Sequence, residues 1–224
     1  MKKLFGIGTL AISLLVFAMP ATAADGWYAS GNVGVSNFRE TDASDTAAGI
    51  TVSGTAEGDA GLFISGAVGY SWDAFRLEGE ISHQKSDLDS VNVTGVTLFG
   101  STFTTNIDLA VDGDVSALGF MVNGWYDFDT GSKLTPYVGG GIGLSKQDID
   151  VTSVAGVSTP YNQDDTVFSY QAGVGLNYNF AENTSAGLGY RYFGSSDAEF
   201  DDGTDKVEAE YSSHIVSIGL VHRF

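Results

Sequence analysis

The chain has 224 residues, with 10 basic against 28 acidic side chains for a formal charge of −18, 30 glycines and no cysteine. The absence of thiols excludes a disulfide framework and any thiolate nucleophile or thiolate metal site. The acidic balance argues against nucleic acid as a partner.

Residues 1–23 read as a cleaved secretory signal peptide. Lys2 and Lys3 form a positive start, Leu4 to Met19 is almost wholly apolar, and Ala21-Thr22-Ala23 is a small-x-small cleavage site. The expected domain organisation is therefore a leader followed by one domain over 24–224. After residue 23 no apolar run approaches the ~18 residues a membrane helix needs. A membrane protein without such runs has one remaining architecture, a closed barrel, because lipid offers no partner to an unpaired backbone N–H or C=O.

Eight segments of about ten residues alternate apolar and small or polar positions, the period of a membrane strand. In 27–36, Trp27, Ala29, Val33 and Val35 oppose Tyr28, Ser30, Asn32 and Ser36. In 62–72, Leu62, Ile64, Val68, Tyr70 and Trp72 share a face. In 75–85, Phe75, Leu77 and Ile81 oppose Arg76, Glu78, Glu80, Ser82 and Gln84. In 115–126, Leu118, Phe120, Val122 and Tyr126 oppose Ala117, Gly119, Met121 and Asn123. In 134–145, Leu134, Pro136, Val138, Ile142 and Leu144 oppose Thr135, Tyr137, three glycines and Ser145. In 167–180, Phe168, Tyr170, Val174, Leu176, Tyr178 and Phe180 oppose Ser169, Gln171, Gly173, Gly175, Asn177 and Asn179. In 184–193, Ala186, Leu188, Tyr190 and Tyr192 oppose Ser185, Gly187, Gly189 and Arg191. In 211–224, Val216, Ile218, Leu220 and Phe224 oppose Ser217, Gly219 and Arg223.

The bulky face carries the hydrophobic mass and the other is too small or charged to build a core, so the apolar face is expected to meet lipid. A soluble sandwich or lipocalin-like barrel would reverse this. The connections alternate short (73–74, 127–133, 181–183) and long (37–61, 86–114, 146–166, 194–210), as periplasmic turns and outer loops do in outer-membrane barrels. Interface aromatics are expected at Trp27, Trp72, Phe75, Tyr126, Phe128, Tyr178, Phe180 and Phe224 on the short-turn side. Phe168, Tyr170, Tyr190, Tyr192 and Tyr211 are expected on the long-loop side.

The chain resembles the porin-like, eight-stranded outer-membrane β-barrel family that includes bacterial surface antigens, similar in architecture to the membrane domain of OmpA. The residues carrying this are Gly26-Trp27-Tyr28, Phe75-Arg76-Leu77-Glu78-Gly79-Glu80, Leu134-Thr135-Pro136-Tyr137-Val138-Gly139-Gly140-Gly141-Ile142-Gly143, Gly189-Tyr190-Arg191-Tyr192 and Gly219-Leu220-Val221-His222-Arg223-Phe224. His222 stands where the family often carries an aromatic. The resemblance implies an all-β, antiparallel up-and-down transmembrane barrel of outer-membrane type with a polar, side-chain-filled interior. It implies a place in the cell outer membrane among its lipids and lipopolysaccharide. It also implies recognition by the barrel-assembly machinery through the C-terminal strand, with Phe224 as the assembly signal.

A lumen network of Arg76, Glu78, Glu80, Arg191, Arg223, Asn123 and Gln171 is expected, with Glu80 paired to Arg191 and Glu78 to Arg76 or Arg223. Charges in such a lumen must be paired, so the network reads as a plug, with a narrow gated ion path as the alternative. Glu78 and Glu80 have the residue type for acid–base work, and Ser213-His214 that for ester chemistry. His83, His214 and His222, however, fall on the lipid face near strand ends. The chain is not expected to be an enzyme or to carry a cofactor or metal. Asp201-Asp202-Gly203-Thr204-Asp205 is oxygen-rich but lacks EF-hand spacing.

The four long connections hold 21 of the 28 acidic residues. The expected function is a structural, surface-exposed barrel presenting acidic loops to an unknown extracellular ligand. The alternatives are a narrow channel for small solutes or amphiphiles and, behind it, a lipid-modifying enzyme. Alternation within 86–114 (Val91, Val93, Val96, Leu98) suggests hairpins rising above the membrane, a shape suited to strand addition.

Overall fold

The computed structural model describes residues 25–38, 41–47, 50–98, 101–196, 198–201, 206–209 and 211–224. The expected signal peptide and most of the 201–205 acidic run lie outside the described residues. Among these, twelve strands form one antiparallel sheet: β1 Gly26–Phe38, β2 Thr41–Ala47, β3 Ile50–Gly58, β4 Gly61–Trp72, β5 Phe75–Leu98, β6 Ser101–Asp127, β7 Leu134–Val154, β8 Val157–Asn179, β9 Thr184–Ser195, β10 Ala198–Asp201, β11 Lys206–Ala209 and β12 Ser212–Arg223.

Eight of them, β1, β4, β5, β6, β7, β8, β9 and β12, pair in a ring that closes where β12 meets β1. The register can be followed round the ring from Tyr28 through Gly69, Glu78, Asn123, Gly141, Gln171, Phe193 and Ser213. It returns to β1 at Phe38, ten residues above its start. That stagger tilts the strands and winds every row of lumenal side chains upward round the barrel. The last residue completes the closure: the Phe224 N–H donates to the Trp27 carbonyl at 2.9 Å.

The side-chain alternation is inside-out. Trp27, Leu62, Val68, Ile81, Phe120, Val122, Ile142, Val174, Leu188 and Ile218 all face outward and are exposed. Serines, glycines, amides and charges face in, and the buried set includes Arg76, Glu78, Glu80, Asn123, Gln171 and Arg191.

Short turns close one end. Asp73 takes the left-handed conformation (φ 54°) in the tight β4–β5 turn, where aspartate is among the few non-glycine residues that tolerate it. Its N–H donates to the Asp25 carboxylate, Oδ1, at 2.6 Å.

At the other end the expected loops are largely ladder. β5 and β6 stay paired out to Leu98 and Ser101, and β7 and β8 out to Val154 and Val157. β2 and β3 prolong β1 and β4, β10 and β11 prolong β9 and β12, and β3 and β11 zip to β5 and β2 respectively. The barrel wall therefore continues past the lipid band.

Candidate functional site

The lumen is built in floors. At the short-turn mouth, Arg76 on β5 makes a bidentate pair with Asp127 at the end of β6, Nε to Oδ2 at 2.8 Å and Nη2 to Oδ1 at 2.9 Å. Arg223 on β12 reaches the same carboxylate at 3.9 Å. The Arg76 guanidinium also lies between the rings of Tyr28 and Tyr137, 5.6 and 5.3 Å from their centroids. Below it opens a vestibule of ≈ 790 Å³ lined by Asp73, Asp127, Lys133, Asn179, Glu182 and Arg223.

One floor up, Glu78 accepts hydrogen bonds from the Tyr28 hydroxyl at 2.7 Å, Trp125 Nε1 at 2.8 Å and Asn123 Nδ2 at 3.1 Å. The expected pairing of Glu78 with Arg76 or Arg223 is not made. Asp127 lies nearer both guanidiniums, and three neutral donors satisfy Glu78 instead. Glycines make room for the large rings: a Cβ on Gly139 would sit 2.7 Å from Trp125, and one on Gly175 would collide with the Tyr137 ring.

Above this, Arg191 Nη1 donates to Glu80 Oε2 at 2.5 Å, and both side chains are buried. Gln171 bridges Glu80 Oε1 at 3.1 Å and Asn123 Oδ1 at 2.6 Å, which ties the Glu78 and Glu80 floors together. Arg191 is sandwiched by Phe63 and Trp125, 5.8 and 5.4 Å from their ring centroids. Its Nε has no partner among the described residues. A cavity of ≈ 20 Å³, about the size of one water, lies between Arg76, Glu78, Tyr137, Asn177 and Arg191.

The outer half of the lumen changes character. Phe63, Val115, Ala117, Met121, Phe193, Tyr211 and Ile215 form a buried apolar cluster with Leu88 and Ile149 packed against it. Tyr211 therefore does not belong to the outer girdle. Its parity is that of Ser213 and Ile215, so it points inward, and its hydroxyl donates to Gln84 Oε1 at 3.3 Å, an oxygen that also accepts from Ser213 at 2.9 Å.

Sequence reasoning also missed Asp127, Trp125, Phe63 and Phe193. All four share the parity of lumenal neighbours, which is the signal that locates them.

The outward face carries two rows of aromatic rings. Along the short-turn rim Trp27, Tyr70, Trp72, Phe75, Tyr126 and Phe128 touch in sequence, with ring centroids 4.9–6.5 Å apart. Tyr178 and Phe180 are exposed on the same rim, and Phe224 packs on His222 at 5.2 Å. At the outer edge Tyr190 Oη and His214 Nδ1 are 2.6 Å apart, and Tyr192 contacts both Tyr170 and His214. His214 is thus occupied by a tyrosine, and no serine–histidine pair is formed with Ser213, whose hydroxyl points inward to Gln84. His222 meets Thr184 at 2.9 Å. Just beyond the lipid band Lys146 bonds Asp148 and Asp164, each at 3.2 Å, and these hydrogen bonds raise its pKa.

The sequence over residues 9–224 matches the family described as "Outer membrane protein beta-barrel domain". The chain belongs to that family, and its place is the outer membrane. It is 25% identical over 208 residues to outer membrane protein PagN of Salmonella typhimurium, covering 86% of this chain and 83% of that protein. In three dimensions it is similar to Neisserial surface protein A, with a TM-score of 0.51 at 16% identity over 89% of this chain and 97% of that one. It is likewise similar to the outer membrane protein OprG of Pseudomonas aeruginosa, with a TM-score of 0.50 at 14% identity over the same shares. These two likenesses concern the fold: an antiparallel, closed, eight-stranded barrel.

Proposed function

We propose that the chain is a surface-exposed structural barrel, a porin-like surface antigen type, whose work lies in the wall it raises outside the cell. The observation that carries this reading is the closed lumen. Three arginines and three carboxylates lie in it, and above them the Phe63–Phe193–Ile215 cluster fills the bore with apolar side chains. A solute entering from the periplasmic vestibule meets paired charges and then a dry plug. Desolvating an ion there without a compensating partner is costly. The network of Arg76, Glu78, Glu80, Asn123, Gln171, Arg191 and Arg223 serves in this reading to fill and rigidify the bore.

The belts Trp27–Phe128 and Tyr190–His214 seat the barrel in lipid and lipopolysaccharide. Phe224, bonded to Trp27, is the handle for the assembly machinery, and residues 1–23 direct export.

Single-channel recording in planar bilayers tests the reading against a channel. The expected trace is flat for the native chain. Regular conductance steps from native protein, abolished by larger residues at Gly141 or Gly173, would establish a pore instead.

A further inference from the structure

We propose that the bore holds one water molecule as a fixed member of its charged network, in the chamber between Arg76 and Arg191. The site belongs to the closed bore described above and rests on that reading.

The room for it comes from two glycines. Gly187 on β9 and Gly219 on β12 stand directly opposite each other, and both line the ≈ 20 Å³ chamber. Two amides lean across the space that their missing side chains leave. A Cβ on Gly187 would sit 2.8 Å from Asn177 Oδ1, and one on Gly219 would collide with Asn32 Oδ1. The volume holds a single water and is too small for a hydrated ion or an organic solute.

The walls are polar, and their hydrogen-bonding capacity is only partly used. Asn177 is buried, yet its amide makes no hydrogen bond among the described residues, and neither does the Tyr137 hydroxyl. Asn32 gives its Nδ2 to Ser65 at 3.1 Å, which leaves its Oδ1 over the chamber. Arg191 spends Nη1 on Glu80, and its Nε lacks a partner among the described residues. Glu78 Oε1 accepts two bonds, but Oε2 accepts only the one from Tyr28. Buried donors and acceptors left incomplete are costly, and an internal water is the usual completion.

Charge selects the occupant. A bare anion would face the Glu78 carboxylate, which is held by neutral donors alone. A bare cation would face the guanidiniums of Arg76 and Arg191. Water is neutral and carries both functions. Its lone pairs accept from Tyr137 or a guanidinium, and its hydrogens go to the amide oxygens or to Glu78 Oε2.

The test is X-ray radiolytic footprinting of the full chain in nanodiscs, because a bound water split by the beam hydroxylates the side chains beside it. Mass spectrometry is expected to find oxygen added to Tyr137 or Trp125, and the yield is expected to stay constant as sodium chloride is raised. Phe180, which lines the open vestibule, reports bulk water. Gly187→Ala pushes the Asn177 amide into the chamber. It is expected to lower labelling at Tyr137 and Trp125 by about threefold or more, with Phe180 unchanged and the boiled and unboiled gel bands still separate. Native protein labelled at Phe180 but at neither Tyr137 nor Trp125 has a dry chamber and overturns the proposal. A yield that falls with added salt assigns the chamber to an ion and overturns it too, as does labelling indifferent to Gly187→Ala. Should that variant fail to fold, the native protein with and without added salt decides alone. Planar bilayers separate the two readings. A flat trace with a dry chamber sinks the water alone, whereas regular conductance steps sink the closed bore.

Discussion

The two halves of the lumen follow the same inward parity and solve the same filling problem with opposite chemistry. The periplasmic half is charged, with Arg76–Asp127, Glu78 under three donors, and Glu80–Arg191. The outer half carries no such charges: an apolar cluster of Phe63, Met121, Phe193 and Ile215 sits beside neutral pairs such as Ser145–Ser169, Gln147–Ser195 and Ser213–Gln84. The difference follows from access to water. The lower half opens on a polar vestibule that can hydrate charges during assembly, while the outer half must stay shut to the exterior, and close-packed hydrocarbon excludes water more completely than a hydrogen-bond network.

Breaking each half should therefore fail differently. Arg191→Met leaves Glu80 as a buried charge without its partner, and a loss of about 3–5 kcal/mol is expected from such a change. Urea unfolding in lipid vesicles, followed by tryptophan emission and gel shift, would measure it. Glu80→Leu/Arg191→Met should recover most of that loss, because both desolvated charges go together. Phe193→Ala in the outer half is expected to cost a comparable or slightly smaller amount, about 3 kcal/mol or more. It should also do what Arg191→Met does not, admit water past the plug, read as intermittent conductance in planar bilayers. Conductance from Arg191→Met and none from Phe193→Ala would invert the assignment of which half seals.

The lipid face supplies the next contrast. Ile218 is 61% exposed, midway along the outward row from His214 to Phe224, while Ile215 three residues earlier is fully buried. Ile218→Arg is expected to cost about 2–4 kcal/mol, the penalty for a cation near the bilayer midplane. Ile218→Leu should be close to neutral. In a water-soluble fold this ranking would collapse, since an exposed arginine is harmless there.

How far the sequence discloses this arrangement depends on solvent. Inside the lipid band one face meets hydrocarbon and the other does not, so period-two alternation marks the strand segments and the outward rows. Above the band both faces are wet and the alternation weakens: within 86–114 enough survives to suggest the hairpin that β5 and β6 form, whereas the ladder of 146–154 with 157–166 looks like a loop. Within the lumen, parity assigns a side but not a partner. Which floors face each other is fixed by the ten-residue stagger, which no single strand reveals. Parity and charge alone therefore match Glu78 to arginine, whereas Tyr28, Asn123 and Trp125 hold it. Asp127 was hidden because an aspartate closing a strand looks like a turn residue. Residue type places Tyr211 in the girdle, but its parity with Ser213 points it inward, where it is buried.

The smallest expected effect sharpens the contrast between the two aromatic belts. The periplasmic belt is a run of touching rings with little polar bonding. The outer belt centres on one hydrogen bond, Tyr190 Oη to His214 Nδ1 at 2.6 Å, on a stacked pair 5.9 Å apart. Tyr190→Phe keeps the ring and removes the bond. At the headgroup level water competes for both groups, so the expected cost is about 0.5–1.5 kcal/mol. Phe75→Leu on the opposite rim breaks contacts to both Trp72 and Tyr126, each such aromatic pair contributing about 0.5–1.5 kcal/mol beyond area burial, and should cost more. Equilibrium unfolding of the two variants side by side gives the order. A larger loss from Tyr190→Phe would mean that the single Tyr190–His214 hydrogen bond, rather than ring packing, holds the outer edge.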